Sequence, residues 1–120
     1  MNHPMMKKRQ DADEAPRPAD HEALERWLQS HFGPVPVARL DGRGRFVYQA
    51  YHAEHSYTIE VSEEAYEYET GDKIASKLDR ANIASVLKAR PRIRLRYIPG
   101  GEIVASRGRP SSLKFPSGST

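Results

Sequence analysis

The chain has 120 residues, 38% of them hydrophobic and 29% charged, which is the length of one domain with a modest core. It has no cysteine, which excludes a disulfide framework, a thiolate zinc site and a cysteine nucleophile and fits a reducing, cytoplasmic setting. The formal net charge of +3 hides a split: residues 1–70 carry 8 Lys and Arg against 13 Asp and Glu, whereas residues 71–120 carry 11 against 3.

In chain order, residues 1–19 read as disordered, being polar, charged and broken by Pro4, Pro16 and Pro18. The basic start has no apolar run behind it and is not read as a signal peptide. No stretch approaches the ~18 apolar residues of a membrane span, so no membrane partner is expected. The spacing of Leu24, Trp27, Leu28 and Phe32 predicts a helix over 20–32 with Asp20 as N-cap, stopped by Gly33-Pro34. Trp27 falls on the apolar stripe, so it reads as a core residue rather than a partner anchor.

Strands follow. Residues 35–40 make a short edge strand interrupted by Pro36, and Asp41-Gly42-Arg43-Gly44 carries hairpin-turn chemistry. Residues 45–52 alternate, with Phe46, Tyr48 and Ala50 on one face and Val47, Gln49 and Tyr51 on the other, and residues 56–61 alternate with Tyr57, Ile59 and Val61 facing inward and Thr58 and Glu60 outward. A further strand is read at 65–69 from Tyr66 and Tyr68. Thr70-Gly71-Asp72 opens a second helix running to about Ala89, with a register change near residues 80–82, and Pro91 ends it. Residues 92–98 form the clearest strand, and Pro99-Gly100-Gly101 turns into a last strand at 102–106. The tail, 107–120, reads as a disordered basic arm. The expected fold is α+β: an antiparallel or mixed sheet of about five strands with two helices packed on one face, in a single domain over 20–106. Ordering a residue costs roughly 1–2 kcal/mol of backbone entropy. Neither end has the apolar surface to offset that, so removing 1–18 and 111–120 is expected to leave stability nearly unchanged.

The sharpest chemical pattern is Arg90, Arg92, Arg94 and Arg96, two residues apart and so on one face of a strand, with heads roughly 6.5–7 Å apart. Arg107, Arg109 and Lys114 extend the basic surface along the tail. Guanidinium forks suit phosphate. Against that, residues 54–69 hold six glutamates and no Lys or Arg. If the strands are neighbours, Glu60, Glu63 or Glu67 would pair with the arginines and occupy the basic face.

Other constellations are weaker. His52-x-x-His55 lies on a turn without a third ligand, so no metal site is assigned. The tyrosines at 48, 51, 57, 66, 68 and 97 can stack bases but fit half-buried sheet positions. The loop Asp41 to Arg45 precedes a strand, not the helix a phosphate loop needs. No cofactor fingerprint or catalytic set is present; an enzyme would need His52 or His55 brought to Glu54 or Glu102. The segment 58–67, Thr-Ile-Glu-Val-Ser-Glu-Glu-Ala-Tyr-Glu, resembles the opening of a ribbon-helix-helix repressor, where a strand runs into a helix. That resemblance implies outward basic or amide residues reading DNA, yet the outward residues here are Thr58, Glu60 and Ser62. Together these features point to a non-enzymatic protein-interaction or regulatory module, the alternative being a nucleic-acid binder using the arginine strand and basic tail.

Overall fold

The computed structural model describes residues 7–105. The basic tail expected at 107–120, with Arg107, Arg109 and Lys114, lies outside the described residues.

Helix α1 (Pro18–Phe32) starts with proline at its first position, where a missing N–H costs nothing. It buries Ala23, Leu24, Trp27, Leu28 and Phe32, the stripe that the sequence predicts. Gly33, at φ +91°, ends it. The cap differs from expectation. The helix begins before Asp20, and the Asp20 carboxylate reaches back to accept the Arg17 N–H at 2.8 Å.

Five strands form one sheet in the order β1 (Val37–Gly42), β2 (Arg45–His52), β3 (His55–Ser62), β4 (Arg94–Ile98) and β5 (Glu102–Ala105). Neighbours are antiparallel except β3 and β4, which run parallel because helical segments cross between them. The β1–β2 turn uses Gly44 at φ +73°, as its sequence suggests. The β2–β3 turn does not use glycine: Ala53 and Glu54 adopt φ +51° and +67° to join His52 to its partner His55.

Three departures concern the crossover and what flanks it. Residues 63–67, read partly as strand, form a 3-10 turn (Glu63–Glu67) that buries Ala65 and Tyr66. The segment 58–67 therefore has no strand-to-α-helix junction of the ribbon-helix-helix kind. The single helix expected to Ala89 is two, α2 (Gly71–Arg80) and α3 (Ile83–Ala89), broken where Asn82 takes φ +62°. Strand β4 begins at Arg94, not residue 92, which removes Arg90 and Arg92 from the sheet.

The core lies between the helices and one sheet face. Tyr48, Ala50, Tyr57, Ile59, Val61, Leu95 and Tyr97 pack with Leu24, Leu28, Ile74, Leu78 and Leu87. In the register, Tyr48 pairs with Ile59, Ile59 with Leu95 and Val61 with Tyr97, so these side chains share a face. Trp27 joins them, with its ring edge-on to His31 at 5.4 Å. Among the described residues, the opposite face carries no helix.

The N-terminal segment departs most. Residues 12–14 form a 3-10 turn (Ala12–Glu14), and Arg9 docks into the body. Its backbone N–H bonds Glu67 O at 2.8 Å; its Nη1 donates to Asp20 Oδ2 at 3.0 Å and to Tyr66 O at 3.1 Å. The other Asp20 oxygen accepts the Gly71 N–H at 2.8 Å. One carboxylate thus serves the first turns of both α1 and α2 and neutralises a guanidinium. The helix starts meet backbone to backbone: a Cβ at Gly71 would lie 2.1 Å from the Asp20 carbonyl oxygen. Burial alone would favour the neutral acid, but the Gly71 and Arg17 N–H groups and the Arg9 charge outweigh it and hold the Asp20 pKa below its ordinary value. The expectation that residues 1–18 are dispensable does not reckon with these contacts of Arg9. It counted apolar surface, whereas the anchor is polar.

Candidate functional site

The helix-free sheet face presents alternate residues of each strand. From β1 come Ala38 and Leu40, from β2 Arg45, Val47, Gln49 and Tyr51, from β3 Thr58 and Glu60, and from β4 Arg94 and Arg96. Register places Leu40 opposite Val47, Val47 opposite Glu60 and Glu60 opposite Arg96.

Glu60 is the centre of this face. It is only 1% exposed although no helix covers it. Its Oε2 lies 3.1 Å from Arg94 Nη2, and its Oε1 lies 3.1 Å from Arg96 Nε and 3.5 Å from Arg45 Nε. A buried carboxylate is tolerable only with such partners, and the arginine stems that reach it also shield it from water. The guanidinium-bearing side chains are 35–40% exposed. Three cations around one anion leave positive charge facing solvent, on groups whose orientation Glu60 already restricts.

The sequence-predicted site residues therefore divide. Arg94 and Arg96 meet on Glu60. Arg90 and Arg92 are exposed in the turn before β4, where the Ile93 N–H bonds Arg90 O at 2.9 Å, and neither has an ion pair among the described residues. Glu67 pairs with Lys8 at 3.1 Å instead, and Glu63 is exposed in the 3-10 turn. Arg45 was missed. Its signal is the hairpin register: it sits two residues before Val47 on the same face, hence diagonal to Glu60.

On the same face, Leu40 and Tyr51 are 53% and 47% exposed, the large hydrophobic side chains most open to water among the described residues. Of the six tyrosines, Tyr48, Tyr57, Tyr66 and Tyr97 are core residues. His52, Glu54 and His55 are exposed around the β2–β3 turn, while Glu102 pairs with Ile98 at the other end of the sheet. Among the described residues no three His, Asp or Glu side chains are grouped to hold a metal ion. No helix among them is long and apolar enough to cross a membrane.

Two other polar groups belong to the interior. His21 Nδ1 lies 2.8 Å from the Tyr48 hydroxyl, which lies 2.5 Å from that of Tyr66. Burial, with the Arg39 charge second, lowers the His21 pKa, and burial raises those of both tyrosines. A neutral imidazole accepting from Tyr48, which in turn accepts from Tyr66, satisfies all three groups. Buried Glu69 likewise accepts from Tyr97 and Lys77. Burial and then the bond to Glu69 push the Tyr97 pKa up.

Compared with family models, curated proteins and solved structures, the chain matches none of them.

Proposed function

We propose that the protein is a protein-interaction module that docks an acidic partner on the helix-free face of its sheet. One observation carries this reading: Leu40 and Tyr51 stand exposed on the same sheet face as an arginine cluster that Glu60 holds in place and does not neutralise. Tyrosine and arginine are the side chains most often central to protein interfaces. Guanidinium groups already fixed by a buried carboxylate lose less freedom on binding than free surface arginines. The complementary partner presents carboxylates to Arg94 and Arg96 and an apolar side chain to Leu40 and Tyr51.

Selection of a random peptide library on the full chain tests this. Enrichment of sequences combining Asp or Glu with a bulky apolar residue is expected, and its loss with Leu40→Asp and with Arg96→Ala. No enrichment, or enrichment indifferent to both substitutions, removes the reading.

The excess of guanidinium over carboxylate favours one other reading, a nucleic-acid face. Binding of single-stranded nucleic acid at two salt concentrations separates the two. If nucleic acid is the partner, affinity falls steeply with salt and falls further in an Arg92→Ala/Arg94→Ala/Arg96→Ala variant.

A further inference from the structure

The β2–β3 turn and the segment leading into β4 lie side by side at one end of the sheet, and two adjoining hollows open between them. The first, of about 440 Å³, is lined by His55, Pro91 and Ile93 together with Arg90 and Arg92. The second, of about 450 Å³, shares His55, Pro91 and Arg92 and adds Ser56, Thr58 and Arg94. Each has the size of a small-ligand site, ~300–1,000 Å³. The two differ in chemistry. A proline ring, an isoleucine and an imidazole make the first a slot for a flat apolar group. Hydroxyls and guanidinium groups make the second a site for an anion.

Charge narrows the anion. Arg90 and Arg92 have no ion pair among the described residues, and Arg94 is held at the floor by Glu60. The carboxylate in the second hollow, Glu54, is exposed on the turn. The unpaired Arg92 fork and the Arg94 guanidinium in this hollow, with Arg90 lining the adjoining one, suit the two charges and three oxygens of a phosphate monoester better than a single carboxylate. The shared wall of His55, Pro91 and Arg92 lets one molecule carry the planar group into the first hollow and the anion into the second.

We infer that this double hollow binds a phosphate monoester carried on a planar ring, the chemistry of a nucleoside monophosphate, whether free or at the end of a strand. His55, Pro91 and Ile93 take the ring, with Arg90 at its border; Arg92 and Arg94 take the phosphate, with the Ser56 and Thr58 hydroxyls beside it. The site shares Arg94 with the docking face but lies apart from Leu40, so Leu40→Asp separates the two readings.

The full chain is titrated with each common ribonucleoside monophosphate and with inorganic phosphate, following amide NMR shifts. The expected result is a saturable shift of His55, Thr58 and Arg92 with at least one nucleotide, and binding about tenfold weaker for inorganic phosphate. Arg92→Gln, at an exposed position, weakens nucleotide binding by about tenfold while leaving the rest of the spectrum in place. Leu40→Asp leaves nucleotide binding unchanged. A short oligonucleotide with a terminal phosphate that binds more tightly than the mononucleotide assigns the site to strand ends, and the reverse order assigns it to free nucleotide. The inference is overturned if no nucleotide shifts these amides saturably, if phosphate alone binds as well, or if Arg92→Gln binds undiminished.

Discussion

Two carboxylates, Asp20 and Glu60, organise the charged residues on opposite sides of the sheet, and they do so differently. Asp20 gathers one guanidinium and the backbone N–H groups of two helix starts, and its partner Arg9 is only 10% exposed. Glu60 gathers three guanidinium groups and holds them partly in water. At Asp20 every partner is single and the acceptors are filled by the fold itself. At Glu60 the partners are redundant and their outer edges remain open. A buried acid among arginines is therefore a structural latch in the first case and a surface-shaping device in the second.

The largest expected effect breaks the latch. Asp20→Ala takes from buried Arg9 one of its two carboxylates, leaving Asp11, and leaves two N–H groups without an acceptor; it should cost about 2–4 kcal/mol. Arg9→Ala should be of the same order, and Gly71→Ala should also be severe, because its methyl group meets the Asp20 backbone. Urea unfolding midpoints measure all three. An Arg9→Ala variant as stable as the parent would return residues 7–18 to the dispensable status that their composition suggests.

Glu60→Ala is the matching cut on the other side and should cost less, about 1–2 kcal/mol. Its arginines are more than a third exposed and turn to water when the carboxylate is gone, whereas Arg9 has no such exit. A loss equal to that of Asp20→Ala would show that the two centres are equivalent after all.

Acid titration sharpens the contrast, provided that His21 is separated out. His21 has its pKa lowered by burial from 6.5, so the unfolded chain binds a proton there before the folded chain does. Stability that is complete above about pH 6.5 should decline as pH falls toward the lowered folded value. The slope is at most about 1.4 kcal/mol per pH unit. His21→Gln should remove that slope. Asp20 is lowered from 3.8, so its contribution is intact above that value and is lost only as pH falls through its folded pKa. In the His21→Gln background, the loss below pH 3.8 should shrink on adding Asp20→Asn, with Asp11, also lowered, among what remains; an unchanged acid limb in urea or thermal unfolding would count against the latch.

The same contrast explains what could be read from sequence. Strands β2 and β3 and helix α1 were visible because alternation and the Leu24-Leu28-Phe32 stripe report burial of apolar surface. Glu60 as the acid facing the arginines was visible for the same reason, since period two sets its face. Arg9 was not, because one guanidinium in an apolar-poor stretch leaves no periodic trace. Tyr66 and Tyr68 alternate like strand residues, yet Ala65 to Tyr68 closes a 3-10 turn through the Tyr68 N–H and Ala65 O. Arg90 and Arg92 continue the arginine alternation past the point where pairing starts. Register sets Thr58 against Arg94, so Pro91, which has no N–H to donate, falls at the mouth of the sheet.

The smallest effect is the most telling for redundancy. Arg45 reaches Glu60 at 3.5 Å and its side chain is 40% exposed, so solvent screens most of that attraction. Arg45→Ala alone should cost no more than about 0.5 kcal/mol. Arg94→Ala and Arg96→Ala should each cost no more than about 1 kcal/mol, since two guanidinium groups remain on the carboxylate in either case. The Arg94→Ala/Arg96→Ala pair removes both 3.1 Å contacts at once, and should exceed the sum of the single losses by at least about 0.5 kcal/mol. A double-mutant cycle on unfolding free energies reads this directly. Strict additivity would mean that each arginine contributes on its own account, and that Glu60 does not hold them as a group for a partner to meet.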